Sequence, residues 1–175
     1  MSQSIGIIGG ADGPTAIFVS SSPSWINLFG LIFVVLLLIP NIIYAIRHKG
    51  QTNQCKNRLM NVLEQISRYG CMLLMVCNFG LMEFSFAFPS SFVLYFVGNG
   101  LLLLLYWGFW IAYAKQPSLF LAGTLAVLPT LIFLISAVSL RHWLLLAFAL
   151  LFGVSHLYVT VVNAKAGQQP GDDTP

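Results

Sequence analysis

The sequence predicts an all-α membrane protein: five transmembrane helices preceded by a glycine-rich broken or re-entrant segment at the N-terminus. Three observations predict it. The 175 residues are 58% hydrophobic and only 7% charged, where a soluble domain carries about a quarter charged residues. Five stretches reach the roughly 20 apolar residues that a helix needs to cross a bilayer core about 30 Å thick. The basic residues, finally, fall almost entirely on one side of those five stretches. This composition excludes a water-soluble globule and a disordered chain. No basic stretch is dense enough to suggest a nucleic-acid partner.

The five spans are expected at 25–46, 69–88, 91–113, 118–140 and 143–164. Each break has a physical cause: the polar loop 47–68, then Pro89, then Lys115-Gln116-Pro117, then Arg141-His142. The second and third spans, and the fourth and fifth, are separated by only a few residues and should form antiparallel hairpins. Within the loop, Leu59, Met60, Val62, Leu63 and Ile66 interleave with Arg58, Asn61, Glu64, Gln65 and Arg68. That pattern suits an amphipathic helix on the membrane surface, or equally the first turns of a long second span. One domain, 24–165, is therefore expected between the N-terminal segment 1–23 and a polar, disordered tail at 166–175. No internal repeat is visible, and no basic residue precedes Arg47, so a cleavable signal peptide is not expected.

Orientation follows from charge. Arg47, Lys49, Lys56, Arg58 and Arg68 lie between the first two spans, Lys115 between the third and fourth, and Lys165 after the fifth. With five spans all seven share one side, and Arg141 alone takes the other. The positive-inside rule assigns the seven-residue side to the cytoplasm of a bacterial inner membrane, together with the C-terminus. Trp25, Tyr69, Tyr113 and Trp143 lie near span ends, as an interfacial aromatic belt requires. The three cysteines show no metal or redox spacing and read as small packing residues.

The N-terminal segment holds the most unusual chemistry. Asp12 sits among Gly6, Gly9, Gly10, Gly13 and Pro14, with apolar arms on both sides. Pro14 and the glycines break any continuous helix. A fresh helix can begin at Pro14 with Asp12 or Gly13 near its N-cap, where the helix dipole favours an ionised carboxylate. Carbonyls freed around Gly9–Asp12 could then ligate a cation. Such irregular backbone survives at membrane depth only when protein or water lines it. A re-entrant hairpin, a broken sixth span and a surface segment all remain open, and the glycine spacing also suits plain helix packing.

This stretch, IGIIGGADGPTAIF at 5–18, resembles the GGADGPT signature of the β subunits of sodium-translocating decarboxylases, the oxaloacetate, methylmalonyl-CoA and glutaconyl-CoA pumps. The resemblance implies Na⁺ as the bound ion and Asp12 as its ligand, with Gly10, Gly13, Pro14 and Thr15 shaping the turn. It further implies a reduced β-type subunit working with a biotinylated carrier and a carboxyltransferase.

Polar residues inside the spans extend the ion reading. Asn78 and Asn99 fall about 15 Å and about 13 Å from the outer span ends at 1.5 Å per residue, close to the midplane with Pro129. They are candidate supporting ligands, the plainer alternative being an interhelical hydrogen bond. Glu83 is the one acid within an expected span, and His156 lies deep in the fifth. Both are candidate relay groups, since an ionised side chain in lipid needs a partner, water or a proton. Asn41 follows Pro40 and can bond backbone groups that the proline frees.

No catalytic constellation appears, so a binding protein is expected rather than an enzyme, with no covalently bound cofactor. The function expected is a small cation transporter or membrane subunit for Na⁺ or H⁺. The alternatives are a non-catalytic membrane scaffold and the reduced decarboxylase subunit. Five spans are few to enclose a pathway, which points to a homodimer or larger membrane complex in the bilayer.

Overall fold

A computed structural model describes residues 5–8, 16–19, 26–47, 53–77 and 89–168. Two short strands come first, β1 (Ile5–Ile8) and β2 (Ala16–Val19). They pair antiparallel with Ile5 opposite Val19 and Ile8 opposite Ala16. The helix expected to start at Pro14 is therefore not the conformation of Ala16–Val19. The two arms, rich in β-branched residues, satisfy each other's backbone groups across a ladder instead. The connecting residues, Asp12 among them, lie outside the described residues.

Most of the other described residues are helical. The helices are α1 (Leu28–Arg47), α2 (Arg58–Val76), α3 (Pro89–Val93), α4 (Asn99–Lys115), α5 (Leu119–Ser139) and α6 (Trp143–Gln168). A π-helical turn, Leu94–Gly98, joins α3 to α4 in one rod. Among the described residues, four helical stretches are long and apolar enough to cross a membrane: α1, the rod from Ser90 to Lys115, α5 and α6. This fits a multi-pass membrane protein, and it agrees with four of the five expected spans to within about three residues.

The expected second span is the exception. A helix over 69–88 was the expectation, but α2 begins at Arg58, ends at Val76, and is followed by an extended Cys77 paired with Ile26. The stretch read as interfacial helix or early span is the first half of α2. Asn57 supplies the N-cap, accepting from the Met60 N–H at 3.3 Å. α2 is inside-out for a water-soluble helix. Leu59, Val62, Ile66, Tyr69 and Leu73 recur at three- and four-residue steps and are exposed, whereas Glu64, Ser67, Cys71 and Met75 are buried. The stripe facing the protein carries the polar groups; the stripe facing outward is apolar, as a lipid surroundings would demand.

Side-chain pairings set the directions. Asn27 meets Tyr95 and Asn41 meets Tyr106, so α1 and α4 run parallel. Glu64 meets His156 while Gln54 meets Asn163, so α2 runs against α6. Asn99 at the start of α4 meets Ser136 near the end of α5, and only residues 116–118 join the other ends, so α4 and α5 are antiparallel. Packing closes a ring in the order α1, α2, α6, α5, α4, with α6 making its largest contacts to α5 and α2. Arg47, Lys56, Arg58, Lys115 and Lys165 consequently gather at one end, and Arg141 lies at the other.

Pro40 shows how the ring is stitched. Lacking an N–H, it leaves the Leu36 carbonyl without its helical donor. Trp107 Nε1 of α4 donates to that oxygen at 3.1 Å. Asn41 Nδ2 donates to the Leu37 carbonyl at 3.0 Å and to Tyr106 Oη at 2.8 Å. The proline's freed oxygen thus becomes an interhelical anchor taken by Trp107, with Asn41 bridging alongside. Trp107→Phe should lower stability by about 1 kcal/mol, read as a lower melting temperature in detergent.

One residue ends α5 and starts α6. Arg141 has φ 52°, a left-handed conformation in which an arginine is strained. It lets the His142 N–H reach the Ala137 carbonyl at 2.8 Å and close the end of α5. The His142 side chain then turns to α6, and its Nδ1 accepts from the Leu145 N–H at 3.1 Å. That acceptor exists only in the neutral imidazole. Burial holds His142 below its ordinary value of 6.5, outweighing its own backbone hydrogen bond, which acts the other way. A histidine with a depressed folded value contributes stability above its unfolded value and loses it as pH falls through the folded one. Melting of the wild type should therefore drop as pH falls below about 6.5, and His142→Asn, which keeps a capping acceptor but does not titrate, should flatten that drop.

Candidate functional site

Apolar helices that face lipid gain nothing from a charge, so charges that point inward need an explanation. Glu64 is the sole acid among the described residues. α2 presents it to α6 with only 7% of its side chain exposed. Its Oε1 accepts from His156 Nδ1 at 3.0 Å and from the Arg68 guanidinium one turn along α2. The i, i+4 spacing puts Arg68 over Glu64 on the same face. His156 is held in turn by its stack on Phe152, with centroids 4.6 Å apart and planes 14° from parallel. Arg68, with 38% of its side chain exposed, is the cluster's outward edge.

The seam around the cluster is built from small residues. Ser67 donates back to the Leu63 carbonyl at 2.6 Å and Ser155 to the Leu151 carbonyl at 2.7 Å. Their hydroxyls thus serve their own helices, and their size brings α2 close to α6. Gly70 sits directly against the Phe148 ring, where no Cβ fits. This close approach is what carries the His156 ring to the Glu64 carboxylate.

The arrangement has defined chemical capacities. With His156 neutral, Glu64 and Arg68 cancel and the cluster has no net charge; with His156 protonated it carries +1. A single carboxylate oxygen thus accepts from two donors of the chain itself, a guanidinium and an imidazole N–H. No group of three or more histidine, cysteine or acidic residues suited to a metal ion occurs among the described residues.

A second polar group lies between α4 and α5. Asn99, 0% exposed, donates through Nδ2 to Ser136 Oγ at 2.9 Å. Ser136 donates to the Ile132 carbonyl at 2.7 Å.

Of the residues expected to form a site, His156 and Asn99 are placed here, in two different seams. Asp12, Asn78 and Glu83 lie outside the described residues, as do Gly10, Gly13, Pro14 and Thr15. His156, a candidate relay by sequence, pairs with Glu64 of α2. Glu64 and Arg68 fall in the stretch whose sequence suits an interfacial amphipathic helix or, equally, the first turns of a long second span, and neither reading marks them as site residues. The signal that could have found them is the polar stripe Glu64, Ser67, Arg68, Cys71 at steps of three, one and three residues, opposite an unbroken apolar stripe. Ser136 and Ser139 gave no such signal, since serines in apolar helices are common and usually bond their own backbone.

The chain matches no family model, no curated protein and no solved structure.

Proposed function

We propose that this is a small multi-pass membrane protein that binds a cation, H⁺ or Na⁺, inside its helix bundle. The observation that carries this reading is the Glu64–Arg68–His156 cluster, a charged group turned inward on a helix whose outward stripe is apolar. Intramembrane ionisable residues of this kind mark ion paths and relays more often than they stabilise. In this reading Glu64 is the anchor, His156 the relay, and Arg68 the internal cation that keeps the carboxylate neutralised at rest.

The GGADGPT resemblance supports Na⁺ as the ion and adds Asp12 as a second anchor, with Asn78 and Asn99 as supporting ligands and Glu83 as a further relay. The basic end, by the positive-inside rule, faces the cytoplasm of a bacterial inner membrane.

The test is ion flux in proteoliposomes carrying pH- or Na⁺-sensitive dyes. Wild type should dissipate one of the two gradients, and Glu64→Gln should reduce that flux by about tenfold or more, equivalent to at least about 1.4 kcal/mol of lost coupling. Wild-type vesicles no leakier than empty ones to either ion would remove this reading.

A further inference from the structure

We propose that the seam between the π-helical turn and α5 holds a monovalent cation, at Asn99, Ser136 and Ser139. Asn99 is 0% exposed, and its Nδ2 donates to Ser136 Oγ at 2.9 Å. A hydroxyl has one proton, and that of Ser136 goes to the Ile132 carbonyl at 2.7 Å. The amide orientation is thereby set, and Asn99 Oδ1 is left buried with no donor. Turning the amide over gains nothing: it would face oxygen against an oxygen whose proton is spent, and orphan the nitrogen instead.

Ser139 lies three residues along α5, on the same face as Ser136. It is 2% exposed, and its Oγ also has no partner. A buried orphan acceptor costs the full desolvation of the group. Two of them in an apolar bundle, with Ser139 one turn along α5 from Asn99's partner Ser136, point to a ligand that satisfies both.

The chemistry of the donors selects that ligand. Asn99 Oδ1 can only accept, so the ligand must donate or be a cation. The three side-chain atoms are uncharged oxygens. A divalent ion would require carboxylates, and a transition metal would require nitrogen or sulfur. A monovalent cation is what neutral amide and hydroxyl oxygens serve. The backbone agrees: the widened turn Leu94–Gly98 immediately precedes Asn99, and isolated π turns recur at functional sites.

This inference deepens the cation reading but uses none of the Glu64 cluster, which belongs to the α2–α6 seam. The experiment is thermal melting of the purified full-length protein in detergent, with Na⁺ raised to about 200 mM against choline at constant ionic strength. Na⁺ should raise the melting temperature saturably while choline does not. Asn99→Val and Ser139→Ala should each raise the apparent Na⁺ dissociation constant by about tenfold or more, and Gly108→Ala, where nothing lies near the added Cβ, should leave it unchanged. A wild type indifferent to Na⁺, as a site holding only an ordered water would give, overturns the proposal. So does a Na⁺ response that survives in both Asn99→Val and Ser139→Ala. A response lost in Glu64→Gln but kept in those two variants sinks this site and leaves the Glu64 reading standing. Should Asn99→Val fail to fold, Ser139→Ala decides alone, since it removes a hydroxyl that bonds nothing in the protein.

Discussion

Glu64→Ala should cost about 3 kcal/mol of stability, the lower end of what breaking a buried ion pair takes. The loss has two parts. His156 loses its 3.0 Å partner inside the α2–α6 seam, and Arg68 loses the charge that held it over the same face. Arg68 is the more exposed of the two and can turn outward, which keeps the cost from reaching the upper end. Glu64→Gln preserves the volume and one acceptor for His156, so it should cost about 1–2 kcal/mol. Replacing Glu64, Arg68 and His156 together by leucine removes every member of the cluster at once and should be close to neutral, because apolar packing often matches a buried pair. Melting in detergent measures all three. An Ala variant as stable as wild type would mean that the cluster sits in water and not in a packed seam.

Gly30→Ala should cost about 3 kcal/mol, for a purely steric reason. A Cβ at Gly30 would fall onto the Met75 carbonyl oxygen of α2 and come within 2.8 Å of Asn27 Nδ2. A backbone carbonyl cannot swing away as a side-chain tip can, so α1 must retreat. Retreat breaks the bond from the Asn27 N–H to the Val76 carbonyl at 2.7 Å and the contacts of Asn27 Nδ2 with Met75 and Tyr95. These are the bonds that hold the start of α1 to the ends of its neighbours. Gly108 of α4 is the control: nothing lies near its missing Cβ. Gly108→Ala should leave stability unchanged or raise it by up to about 1 kcal/mol through helix propensity.

Four of the helices were legible in the sequence because length and apolarity act locally. α1, α5, α6 and the 89–115 rod each carry enough apolar residues to be read without knowing their neighbours, and proline or a polar break marks each end. The turn at Arg141-His142 was legible as a break, though not as a left-handed residue that closes one helix and a histidine that caps the next. α2 was misplaced because its evidence is not local. Arg58, Glu64 and Arg68 make the stretch too charged for a span by any window average, and its apolar interleaving fits an interfacial helix as well as the start of a bundle helix. What makes a charged helix acceptable in the bundle is a partner 92 residues away, His156.

The candidate sites divide the same way. His156 and Asn99 stood out because polar groups in apolar spans are conspicuous. Their partners, Glu64 and Ser136, did not, because a hydrogen bond is a property of two positions and a single chain position shows one.

The amino-acid order alone determined that the chain is apolar, built of long helices, and charged chiefly at one end. Those properties depend on side-chain hydration and on backbone groups that must bond within their own segment. Tertiary structure alone decided that α2 joins the ring with its polar stripe inward, that Glu64 meets His156, and that Asn99 Oδ1 is left without a donor. Each of these depends on distances between segments far apart in the chain, which no local composition encodes.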